Sequence, residues 1–171
     1  GERGLATAAL AGARAARHGV VIIMDGDGSH PPEAIPALLR ELEGGAEVAI
    51  GSRFCRGGST DAAWTLARRI NSALATWMAR PFTRLCDPMS GFVAFRKEML
   101  GRAGLDAGRR VPGYKVALEL IVRSRAERIA EVPIAFTERM RGESKLTMRV
   151  RLDYCRQLAS LGVFRFGWSL L

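Results

Sequence analysis

The sequence predicts a layered α/β domain. Short apolar runs of strand length alternate with stretches of helical period, strand candidates end abruptly on glycine and polar residues, and the helix after the first strand has a Pro-Pro start and a Gly-Gly stop. With 171 residues, 48% of them hydrophobic, the chain suffices for one core and is short for two.

Leu5 to Arg17 is alanine-rich and reads as a helix leading directly into the first strand. That strand, Val20 to Met24, is continuously apolar, which predicts burial on both faces of a mostly parallel sheet. Pro31 and Pro32 open the next helix, with Glu33 in the first turn where the helix dipole favours it; the helix runs through Ile35, Leu38, Leu39 and Leu42 to Gly44-Gly45. Glu47 to Ile50 is the second strand, ending on Gly51-Ser52-Arg53. After a Gly57-Gly58-Ser59 loop comes a long helix whose Trp64, Ile70, Leu74, Trp77 and Met78 recur at roughly helical spacing, with Arg68, Arg69 and Arg80 off that stripe. Such a stripe is more often core, although two tryptophans with flanking arginines also suit a membrane interface. Phe92 to Phe95 is a third strand, Tyr114 to Arg125 a helix, and Arg128 to Phe136 a fourth strand whose Pro133 points to an edge or bulge. A basic loop from Arg139 to Lys145 precedes a final helix from about Thr147 to Phe166. This divides the chain into a core over 1–146 and a basic amphipathic C-terminal helix over 147–171, a candidate for the membrane interface.

The net charge is +9, and only Lys97, Lys115 and Lys145 among the 26 basic residues are lysine. Arginine's planar fork suits phosphate, so the excess points to anionic partners: nucleic acid, a nucleotide-sugar or a membrane surface. From Arg139 to Leu171 seven basic residues face two acidic ones. Cys55, Cys86 and Cys155 are odd in number and match no zinc spacing, which favours a reducing, cytosolic compartment. No apolar run approaches the ~20 residues of a membrane span. The chain does not begin with Met, and both ends read as cut.

The stretch from Val20 to Glu33 concentrates the chemistry, because an apolar strand ends on Asp25 and Asp27 with glycines between and after them. Ligands collect at the carboxyl ends of strands in open α/β sheets, and magnesium typically takes one or two carboxylates and leaves its other positions to water and phosphate. Ordinary Asp-Gly turn chemistry would look similar. An EF-hand is excluded, because its glycine and twelfth-position glutamate fall on His30 and Pro36. A dinucleotide fingerprint is excluded because its third glycine falls on Pro31. An aspartyl-nucleophile phosphohydrolase usually adds a later acidic pair for magnesium, and no two acidic residues are adjacent in this chain.

Four segments taken in order carry a resemblance: Met24-Asp-Gly-Asp-Gly-Ser-His-Pro-Pro-Glu33, Gly51-Ser-Arg-Phe54, Asp87-Pro-Met-Ser-Gly-Phe92 and Arg139-Met-Arg-Gly-Glu-Ser-Lys-Leu146. Together with Gly113-Tyr-Lys115 and Glu131-Val-Pro-Ile134, they make the chain resemble the dolichol-phosphate (polyprenol-phosphate) mannosyltransferases of glycosyltransferase family 2, over essentially its whole length. The resemblance implies a GT-A fold, Rossmann-like with a mostly parallel sheet and flanking helices. It implies an inverting transfer of mannose from GDP-mannose to a polyprenyl phosphate at the cytoplasmic face of a membrane, with Mg2+ or Mn2+ as cofactor. Partners would be the nucleotide-sugar, the lipid phosphate and the membrane surface, with no nucleic acid.

By the same resemblance Asp25 and Asp27 bind metal and donor, Asp27 the more directly, and Ser29 stands at a weak or outer metal position. Arg53, Arg139 and Lys145 bind the donor, and Arg68, Ser72 and Ser90 hold the acceptor phosphate. Asp87 joins Asp27 at the reaction centre to orient acceptor or sugar, or else caps the turn before Pro88. His30 reads as structural, and Glu119 as a core-facing partner for a basic residue. The family begins with a strand and a nucleobase-binding segment that have no counterpart before Gly1, which predicts a fragment with an incomplete donor pocket, an exposed sheet interior and poor activity alone. Two alternatives stay open: a glucosyl or aminosugar transferase to the same lipid class, and a non-catalytic basic module that binds anionic membrane or nucleic acid.

Overall fold

The computed structural model describes residues 4–107, 111, 113–137 and 148–167. Helix α1 (Leu5–Ala15) leads into β1 (Val20–Ile23), and a 3-10 turn at Pro32–Ala34 runs into α2 (Ile35–Glu43). There follow β2 (Val48–Ser52), β3 (Ser59–Thr60), α3 (Leu66–Ala79), β4 (Val93–Arg96), the short α4 (Met99–Arg102) and α5 (Val116–Ser124). β5 (Ile129–Pro133), β6 (Ala135–Phe136) and α6 (Met148–Phe166) complete the described elements.

The main sheet has strand order β1-β4-β2-β5, and β3 pairs with β6 as a separate two-stranded piece. β2 and β5 are parallel, whereas β4 is antiparallel to both β1 and β2. Three strands therefore share one direction and the fourth is inserted against them, so the mixed α/β class holds but the expectation of a mostly parallel sheet does not describe the pairings. Side-chain alternation on β2 and β4 sends Val48, Ile50, Val93 and Phe95 to one face, under α1, α4 and α5, and Ala49, Phe92 and Ala94 to the other, under Leu38 and Leu42 of α2.

Two sequence expectations fail here. Among the described residues β1 pairs only with β4, and of its residues only Val21 is buried, while an apolar groove of about 470 Å³ lies between it and α1. A continuously apolar run cannot by itself distinguish a central strand from an edge strand with a groove beside it. The α3 stripe is not core either: Ile70, Leu74 and Trp77 are exposed at 58, 52 and 70%. Trp64 is buried but precedes the helix, and Met78 packs with Ala79, Phe82, Met89, Tyr154 and Leu161. α3 therefore carries its apolar stripe outward, with Thr65 capping its start by accepting the Arg68 N–H.

Pro133 ends edge strand β5, as its missing N–H requires. α6 packs on α5 through Tyr154, Leu158 and Leu161, and closes the second core cluster. Glu119 is fully buried and is ion-paired with Arg123 at 2.5 Å, as the sequence suggested. The other oxygen of that carboxylate accepts the Gln157 amide from α6 at 2.9 Å. No helix among the described residues is long and apolar enough to cross a membrane.

Candidate active site

The turn after β1 is built by its own polar residues. Asp27 Oδ1 accepts both the backbone N–H of Ser29 at 3.1 Å and its hydroxyl at 2.5 Å, while Gly28 takes φ 80°, a conformation that favours glycine. Ser29 is buried and orients Asp27, so its hydroxyl supports the carboxylate from behind. His30 is also buried, lies between the rings of Phe92 and Phe136 at 5.3 and 5.2 Å, and accepts the Asp25 backbone N–H on Nδ1 at 3.2 Å. Burial lowers the His30 pKa while the Asp25 charge opposes that shift, so the ring remains a neutral acceptor that fixes the start of the turn. The structural reading of His30 is the one that the packing supports.

Gly91 shapes the space beside the first aspartate. A Cβ at Gly91 would lie 3.2 Å from Asp25 Oδ2, so glycine leaves that carboxylate room to hold a ligand. Two carboxylates one residue apart at a strand end fit magnesium's habit of using few protein ligands. Among the described residues there is no larger His, Cys, Asp or Glu cluster that could hold a metal.

β2 delivers Arg53 to the same place. Its Nε and Nη2 donate to the two carboxylate oxygens of Asp87 at 2.7 Å each, and its backbone N–H donates to Oδ2 at 3.1 Å. Asp87 is fully buried, and its loop is tied to β5 because Glu131 accepts the backbone N–H groups of Cys86 and Asp87 at 2.8 and 3.0 Å. Both Asp87 oxygens thus accept from Arg53, an ion pair that the sequence did not suggest for this residue. Its observed job is to aim a guanidinium, a bidentate geometry that lysine could not reproduce.

The inner side of α3 supplies the rest. Asp25, Arg53, Arg68, Ser72, Trp64 and Lys115 line one cavity of about 190 Å³. Lys115 Nζ donates to the Met89 carbonyl at 2.6 Å, bracing the loop that carries Gly91. Three cations therefore face one carboxylate across a small space, an arrangement suited to phosphate groups lying between a metal and a basic wall.

Of the expected site residues, the structure brings Asp25, Arg53, Arg68 and Ser72 to this cavity, with Asp27 and Ser29 in the adjoining turn and Asp87 behind Arg53. Ser90 does not join the phosphate-holding group: its hydroxyl donates to the Gly51 carbonyl at 2.6 Å, is itself an acceptor for the Phe92 N–H, and so fastens the loop to β2. A Ser-Gly pair ahead of a strand reads equally well as ligand or as staple, and only the tertiary contact separates the two. Arg139 and Lys145 lie outside the described residues. Lys115 and Trp64 also line the cavity; the Gly-Tyr-Lys motif is the sequence signal for the first, and Trp64 falls within the apolar stripe.

The family model described as "Glycosyl transferase family 2" matches residues 1–103. The chain is 45% identical to a dolichol-phosphate mannosyltransferase of Mycosarcoma maydis, over 97% of the chain and 56% of that relative. It is 40% identical to the dolichol-phosphate mannosyltransferase of Saccharomyces cerevisiae, over 99% of the chain and 68% of that protein. The chain thus spans between about half and two-thirds of these relatives' lengths. Among solved structures, glucosyl-3-phosphoglycerate synthase from Mycobacterium tuberculosis in complex with Mn2+ and UDP-glucose matches with TM-score 0.64 and 19% identity, covering 99% of this chain and 56% of that one, a likeness of fold. On the family match and the identity to these relatives, the chain belongs to glycosyl transferase family 2.

Proposed function

We propose that this chain carries the metal, diphosphate and acceptor-phosphate side of an inverting mannosyltransferase that moves mannose from GDP-mannose to a polyprenyl phosphate at the cytoplasmic face of a membrane. The observation that carries the reading is the meeting of Asp25 with Arg53, Arg68 and Ser72 in one cavity, next to the Asp27 turn. The relatives' names supply the reaction class, and the Mn2+ of the glucosyl-3-phosphoglycerate synthase structure is in keeping with a divalent ion.

In this mechanism Asp25 and Asp27 would hold Mg2+ or Mn2+, which would neutralise charge on the leaving diphosphate. Arg53, held rigid by Asp87, lies against the donor diphosphate, and Arg139 and Lys145, outside the described residues, are assigned to the donor as well. Arg68 and Ser72 hold the lipid phosphate. An oxygen of that phosphate attacks the anomeric carbon from the face opposite the diphosphate, whose bond to the sugar breaks, and the configuration inverts. The attacking oxygen is already anionic at neutral pH, so no general base is required, and catalysis rests on positioning and charge neutralisation.

The outward stripe of α3 supports the membrane half of the reading. Leu66, Ile70, Leu74 and Trp77 are exposed on the helix whose opposite side carries Arg68 and Ser72, so a lipid surface against this stripe brings the prenyl phosphate to the cavity. α6 packs beside α3, where the Tyr154 hydroxyl donates to the Ala75 carbonyl, and its arginines add cations that an anionic leaflet attracts at ~1 kcal/mol each.

The test is transfer of labelled sugar from a panel of nucleotide-sugars to polyprenyl phosphate with added metal, read by lipid extraction. GDP-mannose should give the most lipid product, and Asp27→Ala should abolish it. Preference for UDP-glucose or an aminosugar donor would move the reading to the neighbouring transferases. Failure of every donor, together with salt-sensitive binding that Asp27→Ala leaves intact, would mark a non-catalytic basic module.

A further inference from the structure

Gln157 of α6 is fully buried in the joint between α5 and α6. Its amide holds one residue by both backbone groups: Oε1 accepts the Lys115 N–H at 3.3 Å, and Nε2 donates to the Lys115 carbonyl at 3.0 Å. The same Nε2 donates to Glu119 at 2.9 Å, so the amide is itself fixed from the α5 side. Lys115 stands at the N-cap of α5, where no side chain of its own segment caps the helix start, and its N–H precedes the helical ladder. The acceptor therefore comes from another element. Gly113 shows how closely the parts fit, because a Cβ there would collide with Gln157 Oε1 and lie 2.7 Å from Gln157 Cβ. The glycine of the Gly113-Tyr-Lys115 motif thus leaves room for the α6 amide.

The other end of Lys115 reaches the site. Its Nζ donates to the Met89 carbonyl at 2.6 Å, and one carbonyl does not exhaust the three donors of an ammonium group. Lys115 lines both the cavity of Arg53, Arg68 and Ser72 and the groove beside β1, as do Asp25, Gly91 and Tyr114, whereas Arg68 and Ser72 border the cavity and not the groove. Lys115 therefore lies on the Asp25 side of the site.

We infer that Gln157 is a positioning residue for the transfer: by clamping the Lys115 backbone it holds the Lys115 ammonium toward the diphosphate oxygens beside Asp25, so that the docking of α6 on α5 sets one cation of the site. The inference rests on the metal-and-diphosphate reading above. It gives α6 a part in the geometry of the site, separate from any contact with lipid. A satisfied buried polar contact suits that task, because it fixes a single arrangement of the two helices.

Binding of magnesium pyrophosphate, followed by calorimetry, reads the diphosphate side without a nucleobase or a lipid. Lys115→Met should weaken it about tenfold, as expected for a hydrogen bond to a charged oxygen. Gln157→Met keeps the length of the side chain and removes the amide, and Gly113→Ala drives the amide off Lys115. Each should weaken binding about three- to fivefold, and less than about twofold once Lys115→Met is present, because residues that act through one another are not additive. Ser160→Ala cuts the 2.9 Å contact to Arg123 in the same joint, and should lower the thermal midpoint while leaving pyrophosphate binding unchanged. In the parent protein, magnesium pyrophosphate should slow exchange of the Lys115 amide hydrogen, since the coupling is reciprocal.

Gln157→Met and Gly113→Ala that weaken binding equally with and without Lys115, or not at all, would overturn the inference. So would Ser160→Ala weakening it in step, a parent protein that does not bind pyrophosphate, or an exchange rate that pyrophosphate leaves unchanged. If neither amide variant folds, the exchange measurement decides. The predicted pattern without lipid product from any nucleotide-sugar would uphold the clamp and sink the transferase reading. Lipid product with a donor KM that Gln157→Met leaves unchanged would do the reverse.

Discussion

In α2 the apolar residues Leu38 and Leu42 lie at 0% and 2% exposure against the sheet, whereas in α3 Leu66, Ile70, Leu74 and Trp77 stand at 73, 58, 52 and 70%. Both helices are amphipathic, and they use the pattern in opposite directions. α2 buries its stripe against Phe92, Ala94 and Val132, as a helix on a sheet does. α3 turns Arg68, Asn71 and Ser72 inward onto a polar cavity and leaves its apolar side uncovered. Periodicity says that a helix has two faces; which one faces inward depends on whether the inside is a core or a site.

The largest test of this contrast is truncation on each helix. Leu38→Ala should cost about 2–5 kcal/mol, read as a lower urea midpoint, whereas Leu74→Ala should change stability by no more than about 0.5 kcal/mol. Equal costs would mean that the α3 stripe is covered in solution. Next in size, Leu74→Ser with Trp77→Ser should leave the urea midpoint unchanged and weaken association with anionic vesicles more than tenfold, because each apolar side chain buried contributes about 1.5–3 kcal/mol. Unaltered vesicle binding would break the membrane reading of the outer face.

The smallest effect comes from the turn that ends α2. There Glu47 pairs with Arg102 and accepts the backbone N–H groups of Glu127 and Arg128. The Arg102 hydrogen bond, more than the backbone ones, holds the Glu47 carboxyl down at about 2, below the usual carboxylate range. A depressed carboxylate stabilises the fold fully above its unfolded-state value and loses that contribution as pH falls toward about 2. Glu47→Gln should therefore lower the thermal midpoint slightly at pH 6, and the gap from the parent protein should close in acid. Solvent screening keeps the gap small. A gap that widened in acid would reverse the sign of the linkage.

Several features were legible because they are local. The Asp25 to Ser29 turn, the Pro-Pro opening of the 3-10 turn that leads into α2, the Gly-Gly stop of α2, and Pro133 at an edge follow from backbone chemistry within a few residues. The arginine after β2 was legible as a cation at a strand end, and the ordered motifs pointed to the family. What stayed hidden involves partners far apart in the chain. Asp87 reads as a reaction-centre acid or a turn cap, and its pairing with Arg53, 34 residues earlier, is visible only in the fold. Ser90 reads as a ligand until the Gly51 carbonyl takes its proton. Lys115 and Trp64 are ordinary residues of a helix start and an apolar stripe until the fold sets them around one cavity.

The sequence by itself determined the α/β class, the strand-end carboxylates and the family, because propensity, turn chemistry and motif order reside in neighbouring residues. Only the tertiary structure decided that β4 runs against its neighbours, that α3 faces Arg68 inward, and that Arg53 pairs with Asp87. Strand direction and helix rotation are set by the sum of long-range packing, and a buried charge is satisfied by whichever opposite charge the fold brings within reach, neither of which a local pattern contains.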